Sequence, residues 1–332
     1  MRILLTGVAG FIGAAFAHRL LARGDTVIGI DNLNEYYQVS LKQDRRDRLA
    51  AAGGNRFTFL HQDFADMAGL EKALAGVEFN RIVHLGAQPG VRYSIENPHA
   101  YVQANLVGHL NMLELARHRA VEHMVYASSS SVYGGNTKLP FAVEDRVDHP
   151  LSLYAATKKA DELMSETYAH LYRLPLTGLR FFTVYGPWGR PDMMMWIFTQ
   201  KILAGEPIPV FNHGEMYRDF TFIDDIVSGV VACLDSAPAD DGAPKAGGST
   251  KPHAIYNIGN HRSEHLMKVI GILEQECGRK AEMDLLPMQP GDVEKTYADI
   301  EAISRDLGFV PKTPIEEGVP HFVRWYREYH GV

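Results

Sequence analysis

The chain has 332 residues, of which 46% are apolar and 22% charged, and 33 Lys plus Arg against 40 Asp plus Glu give a formal net charge of -7. That is enough chain for two lobes around a large core, and the lack of any basic block argues against a nucleic-acid partner. The two cysteines, Cys233 and Cys277, are far apart and lack metal-ligand spacing, so no disulfide framework and no metal site are expected. The opening run Met1 to Gly7 is too short for a signal-peptide core, and no apolar stretch approaches bilayer length. The expectation is a soluble, cytoplasmic protein with no membrane attachment.

In chain order, apolar β-branched runs fall at Arg2 to Thr6, Thr26 to Ile30, Phe57 to His61, Arg81 to Leu85, His123 to Ala127 and Leu176 to Phe181. Helical patterns lie between them, among them Phe11 to Ala22, Tyr101 to Arg119 and Ala155 to Tyr172. Apolar strands alternating with helices predict an α/β fold, a Rossmann-type doubly wound parallel sheet, over residues 1–182. Beyond it, Pro and Gly become frequent and shorter elements follow, with helices near Ile223 to Asp235, Ser263 to Cys277 and Ile315 to Tyr329. Residues 183–332 are expected to form a smaller α/β lobe, interleaved with the first because a strand near 255–259 returns to the large sheet. The Ala, Pro, Asp, Gly and Ser of Ala237 to Lys251 predict a mobile surface loop.

Gly7-Val8-Ala9-Gly10-Phe11-Ile12-Gly13 follows the first strand and opens the first helix. A backbone without Cβ atoms there can approach a pyrophosphate, and the helix N-terminus offers free N–H groups to it. Asp31 ends the second strand, where a carboxylate accepts the adenosine ribose hydroxyls and repels a 2′-phosphate, favouring NAD over NADP. Asp63 and Phe64 end the third strand; Asp63 either cradles the adenine edge or caps a helix before Met67.

Tyr154 and Lys158 stand one helical turn apart, and an ammonium beside a phenol favours the phenolate that a general base requires. A packed Tyr beside a solvated Lys has the same spacing. Upstream, Ser128-Ser129-Ser130-Ser131 extends the fifth strand, which sends hydroxyls into the crevice where a doubly wound sheet binds ligands.

These motifs, with Arg180-Phe181-Phe182-Thr183-Val184-Tyr185-Gly186-Pro187, resemble the extended short-chain dehydrogenase/reductase family over essentially the whole chain. Within it the likeness is to nucleotide-sugar epimerases, above all those acting on UDP-glucuronate. That likeness is carried by Leu85 to Ser94, Val184 to Met193 and Met288-Gln289-Pro290-Gly291-Asp292. The resemblance implies Tyr154 as base, Lys158 as its electrostatic partner and ribose ligand, and Ser129 as the hydroxyl that bonds O4. It adds Asn32, Leu85 and Ala87 to the residues that hold a tightly bound, continuously regenerated NAD+. The implied reaction oxidises C4 of a UDP-uronate, turns the 4-keto sugar over and reduces its opposite face.

Related dehydratases carry an Asp-Glu pair, and related decarboxylases a Glu, where this chain has Ser130 and Ser131. Neither serine can serve as an acid or base at neutral pH, so elimination lacks its machinery. A 4-keto uronate loses CO2 when its carboxylate bond stands perpendicular to the ketone plane, and Ser130, Ser131 and Thr183 are the expected donors that hold it elsewhere. Arg190 either fixes the same region or makes a surface or subunit contact. Arg218 resembles the family's diphosphate ligand, the competing reading being a salt bridge with Asp219 or Asp224. Val210 and Phe211 either line the uracil slot or belong to the core. The resemblance also places Arg92, Gln289 and Asp292 at the substrate, with Gln289 where relatives often carry a second diphosphate Arg. The rival functions are a UDP-glucose/UDP-galactose or N-acetyl-sugar 4-epimerase, an NAD(P)-dependent nucleotide-sugar reductase, and an NAD-binding sensor. A homodimer through the Tyr101 to Arg119 and Ala155 to Tyr172 helices is expected, although those apolar faces could equally pack on the sheet.

Overall fold

The computed structural model describes residues 1–289 and 291–332, leaving Pro290 of the Met288 to Asp292 motif outside the described residues. Its centre is a seven-stranded, wholly parallel sheet. Six strands come from the first half of the chain: β1 (Arg2–Thr6), β2 (Thr26–Asp31), β3 (Phe57–His61), β4 (Arg81–His84), β5 (His123–Ala127) and β6 (Leu176–Phe181). The seventh, His253–Ile258, pairs with β6, so the spatial order is His253–Ile258, β6, β5, β4, β1, β2, β3. The chain order therefore reverses beside β1, which opens a crevice above the carboxyl ends of β1 and β4.

Alternation along the strands loads both faces of the sheet. Ile3, Leu5, Val83 and Val125 pack on one side, and Leu4, Ile82 and Met124 on the other. The first cluster runs on without a break into Trp196, Phe322 and Trp325 of the C-terminal helices, so the sheet and the elements after Thr183 share one core. Those later elements include the helices Met194–Ala204, Ile223–Asp235, Leu266–Cys277 and Ile315–His330. Three short strand pairs brace them: Thr183–Tyr185 with Phe220–Phe222, Ile208–Val210 with Met283–Leu285, and Tyr217–Arg218 with Glu264–His265.

Two helical segments depart from the sequence expectation. The pattern from Tyr101 to Arg119 is not one α-helix but a short turn Pro98–Tyr101, a π-helical stretch Val102–Val107 and an α-helix Gly108–His118. A helix at Val39–Gly53 has too few apolar residues to announce itself, because Lys42 and Arg45 are among the side chains it buries. Residues 237–251 form no helix or strand; their turn is nonetheless pinned where the Ile255 N–H donates to the Ala246 carbonyl and Ser249 Oγ donates to Glu166. Among the described residues no helix is long and apolar enough to cross a membrane, and no cluster of His, Cys, Asp or Glu is arranged to hold a metal.

One buried ion pair ties the sheet to the long helix Leu153–Tyr172. Arg180 on β6 donates from Nε and Nη2 to the two oxygens of Glu162 at 2.8 and 2.9 Å, and both side chains are almost fully buried. Burial pushes the Glu162 carboxyl up, but Arg180, Lys159 and Ser128 more than offset it and hold it below the usual carboxylate range. Its stabilising contribution is therefore complete at neutral pH and lost on acidification through that depressed range. Replacing Glu162 by Gln leaves Arg180 buried without its anion and is expected to cost about 3–5 kcal/mol in urea unfolding at neutral pH. A loss within about 0.5 kcal/mol, as at an ordinary surface site, would show that the pair does not anchor the helix.

Candidate active site

Strand register brings the functional segments together. Thr6 pairs with both Ile30 and His84, and His84 with Tyr126, so Gly7, Asp31, Leu85 and the serine run leave the sheet at one level. They open into a cleft of about 1000 Å³ above the sheet.

Gly7 turns the chain at φ +68°, and its N–H donates to the Ile30 carbonyl at 2.8 Å. A Cβ on Gly7 would sit 2.7 Å from the Gly86 backbone nitrogen, and one on Gly13 only 2.0 Å from the Gly7 carbonyl oxygen, so the tight turn excludes larger residues. The helix Phe11–Arg23 starts at Gly10 with neither a side-chain cap nor an acidic residue in its first turn, which leaves its N-terminal N–H groups to the cleft. Gly7, Gly10, Phe11, Ile12 and Gly13 all line that cleft.

Asp31 is oriented by two backbone donors, Ala9 N–H at 3.0 Å and Leu33 N–H at 2.9 Å, and burial pushes its carboxyl up. Asn32 donates to Asp63 at 3.0 Å, and Asp63 also accepts from the Ala65 N–H. Of the two readings of Asp63, the capping one fails, since Asp66 caps the helix Met67–Ala73 by accepting from the Gly69 N–H. Asp31, Asn32, Asp63, Phe64, Leu85 and Ala87 line the cleft.

Tyr154 lies in the first turn of Leu153–Tyr172, a helix capped by Ser152 Oγ. Its ring meets Tyr101 edge-on, with centroids 6.0 Å apart. Lys158 is 2% exposed and donates to Asp161 Oδ2 at 2.7 Å. Asp161 has no exposed surface; burial raises its carboxyl to about 6, with Lys158 opposing the rise. The sequence reading missed this partner because an acidic residue three positions along a helix ordinarily faces solvent. Burial, with a smaller contribution from Lys158, also pushes the nearby His84 imidazole down to about 3 and keeps it neutral.

The serine run is set by its own hydrogen bonds. Ser128 Oγ donates to Glu162 at 2.7 Å, facing the core, whereas Ser129 Oγ accepts from the Ser131 N–H at 3.1 Å and starts a 3₁₀ turn. With a lone pair of Ser129 engaged, its O–H is available as a donor. Ser129, Ser130, Ser131, Tyr154, Lys158 and Thr183 all line the cleft. Asn105, within the π-helical stretch, hydrogen-bonds both backbone groups of Gln88 and also Thr157 Oγ1, joining the loop after β4 to the helix that carries Tyr154. A π turn beside a functional site is a recurrent device, and no spacing in the sequence signals it.

At the other end, Arg218 lines the cleft and donates to the carbonyls of Tyr217 and Glu294, forming neither of the salt bridges weighed against its phosphate role. Arg92 pairs with Asp292 at 3.3 Å and lies 5.0 Å over the Phe211 ring; all three line the cleft. Arg190 also lines the cleft and is half-buried. Two expectations need correction. Val210 is fully buried in the core, because the short parallel pair with Met283–Leu285 turns it inward and leaves Phe211 to face the cleft. Gln289 is not among the cleft-lining residues; its backbone carbonyl accepts the Asp292 N–H, and its side-chain oxygen is buried without a hydrogen-bond partner among the described residues. Tyr36, Tyr37 and Lys42 line the cleft unforeseen, from a polar stretch with no periodicity to mark it.

Comparison with known proteins agrees with this geometry. The sequence signature of the GDP-mannose 4,6 dehydratase family spans residues 4–322. A probable UDP-glucuronate 4-epimerase of Rhizobium meliloti is 47% identical over 332 residues, covering 98% of this chain and 97% of its own. UDP-glucuronate 4-epimerase 4 of Arabidopsis thaliana is 46% identical, covering 99% of this chain and 76% of its own. The crystal structure of the Bacillus cereus UDP-glucuronic acid 4-epimerase with UDP-glucuronic acid and NAD superposes with a TM-score of 0.86 at 30% identity, over 99% of this chain and 100% of that one. The parallel sheet, the glycine turn and the Tyr154–Lys158 helix are thus those of the extended short-chain dehydrogenases/reductases, and the chain belongs to their GDP-mannose 4,6 dehydratase family.

Proposed function

We propose that the chain interconverts UDP-glucuronic acid and UDP-galacturonic acid as an NAD-dependent 4-epimerase. The observation that carries this reading is the pairing of Tyr154 and Lys158 with three neutral hydroxyls, Ser130, Ser131 and Thr183, in one cleft. A dehydratase needs an acid and a base where those serines stand. A carboxylated sugar needs donors, and these residues are donors.

NAD fits the residues present. The Gly7 turn and the uncapped helix N-terminus suit a pyrophosphate, and the oriented Asp31 carboxylate suits ribose hydroxyls. When bound, NAD+ would supply a hydride acceptor for C4 and, in its reduced form, the hydride donor for the opposite face of the sugar. Tyr154 Oη removes the C4 hydroxyl proton, and the Lys158 ammonium supplies positive charge beside the phenolate. Ser129 Oγ donates to O4 and follows the oxygen as it becomes a ketone. Tyr154 then returns the proton to O4, so the base is restored with no net redox change. Ser130, Ser131 and Thr183 hold the C6 carboxylate out of the perpendicular geometry that releases CO2. Arg218 and Arg92 grip the diphosphate, with Phe211 against the base.

This reading assigns residues 1–182, with the strand near 255–259, to the cofactor and residues 183–332 to the nucleotide sugar. It also pairs two copies as a homodimer, supported by apolar side chains left exposed on the helices Gly108–His118 and Leu153–Tyr172, among them Leu110, Leu163 and Leu171. A cytoplasmic location follows from the need for a pool of UDP-sugar.

Purified protein given UDP-glucuronic acid and no added nucleotide should yield UDP-galacturonic acid by proton NMR; a UDP-pentose as main product would contradict the reading. Tyr154→Phe should lower turnover by about 10²–10⁴-fold while still binding UDP, and retained turnover would remove Tyr154 from its role. Asp31→Asn should weaken NAD binding by about tenfold or more in a fluorescence titration and narrow the preference over NADP. An unchanged preference would show that this carboxylate does not select the cofactor.

A further inference from the structure

Arg190 sits on the segment Gly186–Asp192, and two side chains from the opposite side of the cleft fasten that segment. Tyr36, in the loop after β2, donates from its hydroxyl to Asp192 Oδ2 at 3.0 Å. Asp192 in turn accepts Arg190 Nε on Oδ1 at 3.0 Å and Arg190 Nη2 on Oδ2. Behind them, buried Arg45 donates to the carbonyls of Trp188 and Gly189 at 2.5 and 2.9 Å, and to that of Ala9 at 3.2 Å. Ala9 is also the residue whose N–H orients Asp31. Trp188 adopts φ +64°, a left-handed conformation that a non-glycine residue keeps only when its surroundings impose it.

The consequence lies in which donor Arg190 has left. Asp192 engages the Nε/Nη2 edge of the guanidinium, and among the described residues Nη1 has no hydrogen-bond partner. Arg190 shares the cleft with Ser130, Ser131 and Thr183. A guanidinium held along its Nε/Nη2 edge presents the remaining Nη1/Nη2 edge to an incoming carboxylate in a fixed direction, whereas an unheld one is free to turn with it. Burial and the neighbouring Asp192 carboxylate push the Tyr36 phenol up, so it remains a protonated donor. Burial also pushes the Asp192 carboxyl up, but Arg190 and Tyr36 more than offset this and keep it ionised.

We propose that Tyr36 and Asp192 are positioning residues that fix the direction in which Arg190 presents its free edge to the sugar carboxylate, and so decide whether the 4-keto uronate is reduced or loses CO2. The inference rests on the uronate reading above. In the competing step the C5–carboxylate bond breaks, its electron pair becomes the C4–C5 enolate, CO2 departs and C5 takes a proton from water. A carboxylate free to rotate reaches the perpendicular geometry this step needs, and a held one does not.

The test compares wild type, Tyr36→Phe and Asp192→Asn on UDP-glucuronic acid. Proton NMR gives the ratio of decarboxylated to epimerised product, and titration with UDP, which lacks the carboxylate, serves as the control. Both variants should raise that ratio by about tenfold, the effect of losing one charged hydrogen bond, while UDP binding stays unchanged. A merely structural role would lower overall activity and leave the product ratio where it was, and that result overturns the proposal. If wild type epimerises cleanly and both variants keep its ratio, only this proposal falls. If wild type makes no UDP-galacturonic acid, the functional reading falls and takes this proposal with it.

Discussion

The carboxylate of Glu162 is the contact on which the rest of the site depends. It is buried in the long helix and accepts both edge donors of Arg180 from β6, the hydroxyl of Ser128 from the end of β5, and the ammonium of Lys159. An ionised carboxylate in such a place is stable only with its acceptor sites filled, so three elements are obliged to meet there in one arrangement. That meeting sets the height at which the serine run leaves the sheet and the face that Tyr154 and Lys158 turn to the cleft. Chemistry at the cleft is thus positioned by a group that does not face it.

A second constraint is charge in a space with little water. Lys158 is a cation buried to 2% exposure, which only a fixed anion makes tolerable, and Asp161 provides it at 2.7 Å. His84 and His109 nearby are both pushed down by burial and stay neutral, so they add no competing positive charge. Among the described residues of that buried group Lys158 is therefore the cation, as the proposed role of Tyr154, one helical turn away, requires. Elsewhere the cleft wall is cationic: Arg92, Arg190 and Arg218 all line it.

Most of the sheet was legible in the sequence because parallel strands buried on both faces leave unbroken apolar runs, and each of the six early runs forms a strand within a residue of its expected bounds. The glycine turn and the Tyr-Lys spacing were legible for a different reason, since each is a local requirement that few residue types satisfy. What escaped was set by tertiary contact. The helix Val39–Gly53 buries Arg45 and Lys42 rather than an apolar stripe, so periodicity is silent there. The π turn at Val102–Val107 shifts the phase of an otherwise ordinary helical pattern, and its purpose, Asn105 bridging Gln88 and Thr157, exists only in three dimensions. Val210 ends a strand whose pairing turns it into the core, while Phe211 opens the turn that follows and faces the cleft, a difference that adjacent apolar residues do not signal. The Tyr36–Asp192 contact joins residues 156 positions apart and has no trace in local sequence.

The proposed reaction is a closed cycle at one carbon, in which hydride leaves C4 of the sugar and comes back to it while Tyr154 shuttles one proton. UDP-glucuronic acid labelled with deuterium at C4, incubated with the enzyme in ordinary water, tests this most directly. The UDP-galacturonic acid formed should keep its deuterium at C4. Loss of the label to solvent would mean that the C4 hydrogen leaves as a proton, a route these residues and a bound nicotinamide do not explain.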